Sequence, residues 1–342
     1  RWAWQAIANG ADGLSYFRWR ACLTGAEQYW HGILDHDGVP RRRYDEVARV
    51  GKEFAKVAPE LKGTGVSTPV ALIRSFEDLW SVQRQPAAPD FSYDAHCFAC
   101  YTAVKRNGHG CRIVSPGADL ARYKVVIAPC LRLVNEAIAE RLRAFVEAGG
   151  VLVLTPQSGT RTPSNAMTDK PRPGLLAELA GLTVEEVRPY HHGQTDAIRF
   201  IHGPLANEVC TVGTYVEHIE CSKAEALAEY VTEGESPGAA IGRRRYGEGC
   251  IYYLGVLLPQ DVLERFFGTI LPDFAIKGIP QGVEVTRRNR KGLRLIFLIN
   301  HTREQRTVVL PKAFPELLTG EDVGPKVTIG PNGVLILKAE AA

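Results

Sequence analysis

The sequence lacks long apolar runs and lacks an excess of either charge. No apolar stretch approaches the roughly 18 residues needed to cross a membrane as a helix. The 41 basic and 38 acidic side chains give a formal charge of only +3, so no field of one sign favours nucleic acid. The basic runs at 41–43 and 243–245 are interpreted as solvated faces. We therefore expect neither a membrane nor a nucleic acid as a partner.

Methionine is almost absent, and the cysteines show no arrangement typical of disulfides. The only methionine is Met167, and helical spacing is already present at Trp2 and Ala6, so we expect further chain before Arg1. Eight scattered cysteines without a secretion signal indicate reduced thiols in the cytoplasm. The pair Cys97-x-x-Cys100 has no second pair to complete a zinc site and lies in a helical pattern, which favours buried thiols. No metal or other cofactor is predicted.

The order of the apolar segments predicts three domains. Residues 1–61 read as a helix, a strand at Gly13–Arg20, a loop and a long amphipathic helix, which together form one unit of a (β/α)8 barrel. After a linker, residues 69–275 alternate apolar strands with helices, which is typical of a parallel sheet covered on both faces. Residues 278–342 contain short strands separated by turns, which predicts a small antiparallel β domain.

The loop after the predicted barrel strand carries the candidate binding residues. Glu27 and His31 could hydrogen-bond sugar hydroxyls, while Trp30 or Trp19 offers an apolar face to a sugar ring. The alternative is an ordinary surface loop with one salt bridge. Three carboxylates on the following helix are expected to be solvated, so no catalytic residue is assigned within the chain. They are Glu46, Glu53 and Glu60.

Several short segments resemble the glycoside hydrolase family 42 β-galactosidases. At the end of the barrel these are Gly10-Ala11-Asp12, Tyr16-Phe17-Arg18-Trp19-Arg20, Gly25-Ala26-Glu27-Gln28-Tyr29-Trp30-His31-Gly32 and His36-Asp37-Gly38. Later ones include Gly149-Gly150-Val151-Leu152-Val153, Tyr252-Tyr253-Leu254-Gly255 and Leu298-Ile299-Asn300-His301. The resemblance implies the end of a catalytic barrel, then a flavodoxin-like trimerisation domain related to class I glutamine amidotransferases, then a small β domain.

The resemblance also implies an activity for the complete protein. It would be a retaining β-galactosidase acting on terminal β-D-galactosides and assembled as a homotrimer. The family's acid/base and nucleophilic glutamates lie upstream of the matched segments, so this chain alone is expected to be inactive. Glu27 corresponds to a residue that binds the galactosyl unit. In many relatives a histidine lies three residues later, and here Trp30 holds that place and His31 follows it.

Two other hypotheses for the function remain open. The chain could be a non-catalytic oligomerisation module, which is compatible with the first reading because the present domains contribute assembly. It could also contain an amidotransferase-like Cys-His site, since Cys130 follows an apolar strand and His191-His192 lie further on. No Gly-x-Cys-x-Gly turn surrounds Cys130, so a core thiol is favoured.

Overall fold

The computed structural model describes residues 1–231, 238–274 and 276–340. The predicted domain end at residue 275 and the last two residues of the predicted C-terminal domain lie outside the described residues. The chain forms two compact units: Thr68–Asp273, and Arg1–Ser67 together with Phe274–Ala342. The three-domain division of the sequence remains a prediction.

The helices and strands follow the chain in this order. The α-helices are α1 (Trp2–Ala8), α2 (Arg42–Leu61), α3 (Phe76–Arg84), α4 (Tyr93–Arg106), α5 (Glu136–Glu147), α6 (Ala177–Ala180) and α7 (Gln260–Ile270), with a 3-10 turn at Gly174–Leu176. The first strands are β1 (Gly65–Val66), β2 (Val70–Ile73), β3 (Cys111–Val114), β4 (Val125–Ala128), β5 (Val151–Leu154), β6 (Leu182–Pro189), β7 (Thr195–Phe200), β8 (Val209–Gly213), β9 (Tyr215–Cys221) and β10 (Glu225–Tyr230). The later strands are β11 (Ala239–Tyr246), β12 (Gly249–Leu254), β13 (Val283–Arg290), β14 (Leu293–Asn300), β15 (Arg306–Val309), β16 (Phe314–Pro315), β17 (Asp322–Val323), β18 (Lys326–Ile329) and β19 (Val334–Ala339).

One large sheet organises the unit Thr68–Asp273. Its strand order is β3-β2-β4-β5-β12-β11-β10-β7-β8, with β9 and β6 joined beside β11. From β3 to β12 neighbouring strands are parallel, as the alternation of strands and helices predicted. From β12 onward they are antiparallel, and this antiparallel part includes the strands of the region 195–231.

The parallel strands are buried on both faces. Val70 and Leu72 face one apolar cluster, while Ala71 and Ile73 face the other, because successive side chains of a strand point to opposite sides. Helix α5 starts at the N-cap Asn135, whose side chain accepts from Ile138 N. Ser75 and Ser92 cap α3 and α4 in the same way. Local capping and continuous apolar strands therefore produce the flavodoxin-like half of this unit.

A smaller antiparallel sheet, in the order β1-β13-β14-β19, organises the other unit. One face packs on an apolar cluster with Trp4 and Val57, and the cluster includes Leu295 and Phe297 of β14. The ring of Trp4 meets Phe54 edge-on at 4.4 Å. Helices α1 and α2 are therefore held by burial against this sheet, with the other sheet face covered by β15 to β18 residues.

The predicted strand at Gly13–Arg20 is wrong. This segment has no strand geometry, and its one bridge joins Arg20 to Leu34. A strand exists only where a neighbour supplies a ladder of hydrogen bonds, and aromatic composition alone does not provide one. Among the described residues, moreover, no helix combines the length and the apolar character needed to cross a membrane.

Candidate functional site

The loop 21–38 is fixed to the segment before it by backbone hydrogen bonds. Ile33 N donates to Arg18 O at 2.8 Å, and Leu34 N donates to Trp19 O at 2.8 Å. Gly32 lies at the tightest point, where an added Cβ would be 2.6 Å from Ala21 N. No other residue fits this close approach without moving the backbone. The loop is therefore anchored at its base while its centre faces outward.

Glu27 presents a half-exposed carboxylate beside one cation. Its Oε2 lies 3.3 Å from Arg18 Nη1, and the side chains of Arg18 and Glu27 are 27% and 45% exposed. An ion pair of this exposure contributes at most about 1 kcal/mol to folding. Within the described part of the chain, Oε1 of Glu27 has no hydrogen-bond partner, so it can accept a hydroxyl group from a ligand.

Exposed aromatic rings lie on the same loop as Glu27 and on the segment before it. Trp30 N donates to the backbone oxygen of Glu27 at 3.0 Å, so the two residues belong to the same turn. The Trp30 and Phe17 rings meet edge-on with centroids 6.2 Å apart, and they are 56% and 68% exposed. The guanidinium of Arg18 lies 5.1 Å from the Phe17 ring centroid. A charged acceptor next to exposed ring faces is the combination that binds a sugar, whose hydroxyls and C–H face need both.

The two histidines of the loop differ in their surroundings. His31 is exposed, and it makes no hydrogen bond with the described residues. The ring of His36 lies 2.6 Å from Gln28 O, and its backbone oxygen accepts from Arg20 Nε at 2.9 Å. His36 therefore shapes the loop, whereas His31 remains available to a ligand.

The structure thus brings Glu27 and Trp30 together and leaves His31 exposed on the same loop. Sequence reasoning gave Arg18 and Phe17 no role, although both belong to the quoted motif Tyr16-Phe17-Arg18-Trp19-Arg20. A role for Arg18 could have been predicted from its position, because it is an arginine with an aromatic residue on each side, just before the loop that carries Glu27.

The expectation that α2 presents solvated carboxylates is wrong for two of the three. Glu53 Oε2 accepts from Trp4 Nε1 at 2.8 Å, and Glu60 Oε1 accepts from Lys338 Nζ at 2.6 Å. Of the three, Glu46 alone is exposed, and it pairs with Arg42 one turn away. Glu53 and Glu60 hold the helix to its neighbours, because each satisfies a donor that is partly buried. These contacts give neither carboxylate the character of a catalytic residue.

The geometry around Cys130 argues against a Cys-His nucleophile. The thiol is fully buried after β4, and burial raises its pKa well above the usual value, so it stays protonated. His96, the nearby imidazole, bonds Thr155 Oγ1 at 2.8 Å, and burial lowers its pKa to about 4. His192 instead pairs with Asp90 on the surface. Cys130 therefore does not form a thiolate next to a histidine base, as a Cys-His site requires.

The pair Cys97 and Cys100 lies on the buried face of α4, as predicted. Burial raises the pKa of Cys97 to about 12 and also raises that of Cys100. Metal binding requires thiolates, which burial disfavours. Across residues 1–231, 238–274 and 276–340, no group of three or more histidine, cysteine, aspartate or glutamate side chains could hold a metal ion.

Family comparisons match almost the whole chain. A family model described as the β-galactosidase trimerisation domain matches residues 68–277. Residues 1–57 match a β-galactosidase model, and residues 282–339 match a β-galactosidase C-terminal domain. The chain belongs to glycoside hydrolase family 42. The resemblance read from the sequence motifs is thereby confirmed.

Individual relatives of family 42 agree with this assignment. The chain is 30% identical to a β-galactosidase of Halorubrum lacusprofundi over 99% of its own length and 51% of the relative's. It is also 30% identical to a β-galactosidase of Clostridium cellulovorans, again over 51% of that protein. The crystal structure of a β-galactosidase from Bacillus circulans sp. alkalophilus superposes with a TM-score of 0.90 at 28% identity, covering 98% of this chain and 51% of that one. The chain spans about half the length of the relatives it matches.

The superposition establishes the fold class. The chain is a mixed α/β protein with a parallel-strand sheet and small antiparallel sheets, as the predicted fold class requires, and the structures it resembles are family 42 β-galactosidases. The chain therefore matches a C-terminal portion of the family 42 β-galactosidases.

Proposed function

We propose that the complete protein containing this chain is a retaining β-galactosidase that hydrolyses terminal β-D-galactosides. The observation that carries the proposal is the half-exposed Glu27 carboxylate, which shares a turn with Trp30 in a segment that matches the β-galactosidase family model. Retaining hydrolysis uses two carboxyl groups, one as acid/base and one as nucleophile, and passes through a covalent glycosyl-enzyme. It needs no metal and no organic cofactor.

Within that mechanism the loop 21–38 binds the sugar. Glu27 Oε1 would accept one or two galactosyl hydroxyls, while Arg18 Nη1 lies 3.3 Å from the other carboxylate oxygen. Trp30, supported by Phe17, offers an apolar surface to the C–H face of the ring. His31 supplies a further donor or acceptor at the rim. We assign the acid/base and the nucleophile to barrel segments upstream of Arg1, on the resemblance alone.

Because the loop binds the sugar and the catalytic carboxyl groups are assigned to other segments, we expect that the 342-residue chain alone does not hydrolyse galactosides. Binding residues without an acid and a nucleophile leave the barrier to glycosidic cleavage almost unchanged. The test assays the purified chain beside the complete protein on a nitrophenyl β-galactoside. Turnover by the chain that persists after further purification would contradict the assignment.

We also propose that the chain associates with copies of itself as a homotrimer through residues 69–275. Support comes from the trimerisation family model that matches residues 68–277. We place residues 1–61 and 278–342 in the barrel and in the C-terminal β domain. A cytoplasmic location is proposed because each of the eight cysteines is a free thiol. Sedimentation velocity across a concentration series tests the trimer, and a monomer throughout the series would contradict it.

A further inference from the structure

An exposed aromatic patch lies on the unit Thr68–Asp273. The aromatic patch consists of Phe76 and Trp80 on α3 and Phe98 on α4, which are 57%, 56% and 68% exposed. The Phe76 and Trp80 ring centroids are 6.1 Å apart. Single exposed apolar residues are ordinary, but neighbouring large aromatic side chains on a surface mark an interaction site.

A partly exposed ion pair beside the patch links the residue before the N-cap of α3 to helix α4. The Arg74 guanidinium lies 4.7 Å from the Phe76 ring centroid and 2.8 Å from Asp94 Oδ1. Asp94 is one helical turn before Phe98 on α4, so the two side chains share a face of that helix. Aromatic rings and an arginine together are the residue types that interfaces between proteins favour.

The patch is rigid before any partner arrives. Ser75 caps α3 by accepting from Asp78 N, and its own N–H donates to Tyr93 OH at 2.9 Å. Asp78 in turn accepts from Leu133 N at 2.9 Å. These buried bonds fix the start of α3 relative to α4. A preorganised surface loses little entropy on association.

The charges around the patch suit another copy of the same surface or its surroundings. On the exposed face of α3, Glu77 and Arg84 flank Trp80, and the remaining charged neighbours, Arg74 and Asp94, already pair with each other. The patch therefore carries both signs in equal number and does not repel its own copies. Burying an arginine without a partner is costly because its charge is desolvated. Arg74 already pairs with Asp94, so burying the patch leaves no unpaired charge there.

We infer that a second copy of this chain covers the aromatic patch of Phe76, Trp80 and Phe98 in the assembled protein. The inference rests on the proposed self-association and names the surface that carries it. The patch lies inside residues 68–277, which match the trimerisation model, and its balanced charges give it no net charge that would repel another copy of the chain. Closed symmetric assembly then buries it once in each subunit.

The experiment measures the mass of the 342-residue chain by sedimentation velocity across a dilution series. The variant Trp80→Lys/Phe98→Lys introduces charge into the patch and is expected to raise the concentration of half-assembly by at least about thirty-fold, the effect of losing one interface hot spot. The matched control is Val309→Lys, a residue that is 63% exposed and lies outside residues 68–277. It should assemble as the unchanged chain does. Circular dichroism and the thermal midpoint confirm that each variant is folded.

Hydroxyl-radical labelling of the unchanged chain provides a test without substitutions. Trp80 and Phe98 should be labelled strongly in the dilute monomer and protected at concentrations where the trimer forms. The assignment of this surface would be contradicted by a trimer in which both residues stay labelled, or by a folded double variant that still assembles fully. Either result would leave the proposed trimer itself intact. A monomeric unchanged chain would overturn both. Protection that appears only on adding galactose would assign the patch to a sugar and overturn the inference.

Discussion

The Arg18 guanidinium lies 3.3 Å from the Glu27 carboxylate, and this pair joins the segment before the loop to the loop itself. Both side chains remain partly exposed, so the contact contributes little to folding. It places a positive charge beside Oε2 of the carboxylate, at a contact that is not a hydrogen bond. A binding site depends on where its charged groups lie more than on the stability that the ion pair adds.

The variant Arg18→Gln in the complete protein should therefore weaken substrate use without weakening the fold. Losing an ion pair of this exposure costs at most about 1 kcal/mol, which corresponds to a fall of up to about five-fold in kcat/KM. Arg20→Gln is the matched control, because Arg20 bonds His36 O and does not contact Glu27. Equal kinetic constants for the two variants would show that Arg18 has no positioning role.

Glu217 should make stability depend on pH in a definite direction. It is fully buried, accepts from Tyr253 OH at 2.7 Å and from Gln157 N at 2.9 Å, and burial raises its pKa from 4.5 to about 7. The folded chain then holds a proton that the unfolded chain releases. The free energy of unfolding therefore falls as the pH rises from about 4.5 to about 7, by up to about 3 kcal/mol, and then levels off.

Glu217→Gln removes this titration while keeping the size of the side chain. The amide oxygen can still accept from Gln157 N, and the Tyr253 hydroxyl can turn to accept from the amide nitrogen. The variant should match the unchanged chain in thermal midpoint near pH 5 and exceed it near pH 8. Other buried groups, such as Asp78, titrate in both proteins and cancel in the difference. A difference that does not vary with pH would refute the raised pKa.

Arg288 should be essential to the fold of the unit that carries the loop. Its guanidinium side chain, 4% exposed, donates to the backbone oxygens of Ile7, Ala11 and Thr64 and to Asp12 Oδ1. Removing it leaves buried acceptors without donors, at about 1 to 3 kcal/mol each. Arg288→Met should therefore lower the thermal midpoint strongly.

The control for that prediction is Arg290→Met on the same strand. Arg290 is 41% exposed and lies 3.6 Å from Glu60, so its loss should cost less than about 1 kcal/mol. Circular dichroism melting of both variants gives the comparison. Similar midpoints for the two would mean that the bonds of Arg288 add nothing that solvent cannot replace.

Much of the fold follows from local signals in the sequence. The run Val125–Ala128 is apolar throughout and the helix after it starts at Asn135, so both could be predicted. The antiparallel half could not, because its strands mix buried and exposed residues and their partners are distant in sequence. The segment Gly13–Arg20 failed for a related reason: its composition favours a strand, whereas pairing decides whether one forms.

The candidate site shows the same limit. Glu27, Trp30 and His31 came from motif resemblance, and the structure places them on one loop. Arg18 and Arg288 look like ordinary surface arginines in the sequence, because the contacts that give them a role lie outside their own helix or strand pattern. Hydrogen-bond partners separated by 224 to 281 residues, as for Arg288, leave no local pattern to read.

The measurement that tests the central claim most directly is the kcat/KM of Glu27 variants of the complete protein on a nitrophenyl β-galactoside. Losing a charged hydrogen bond to the sugar costs about 1.5 to 3 kcal/mol, so Glu27→Ala should lower kcat/KM by about ten-fold to more than a hundred-fold. Glu46→Gln, which changes an exposed carboxylate paired with Arg42, should stay within about two-fold. A folded Glu27→Ala protein with the kcat/KM of the Glu46→Gln control would contradict the assignment of this loop as the galactoside-binding site.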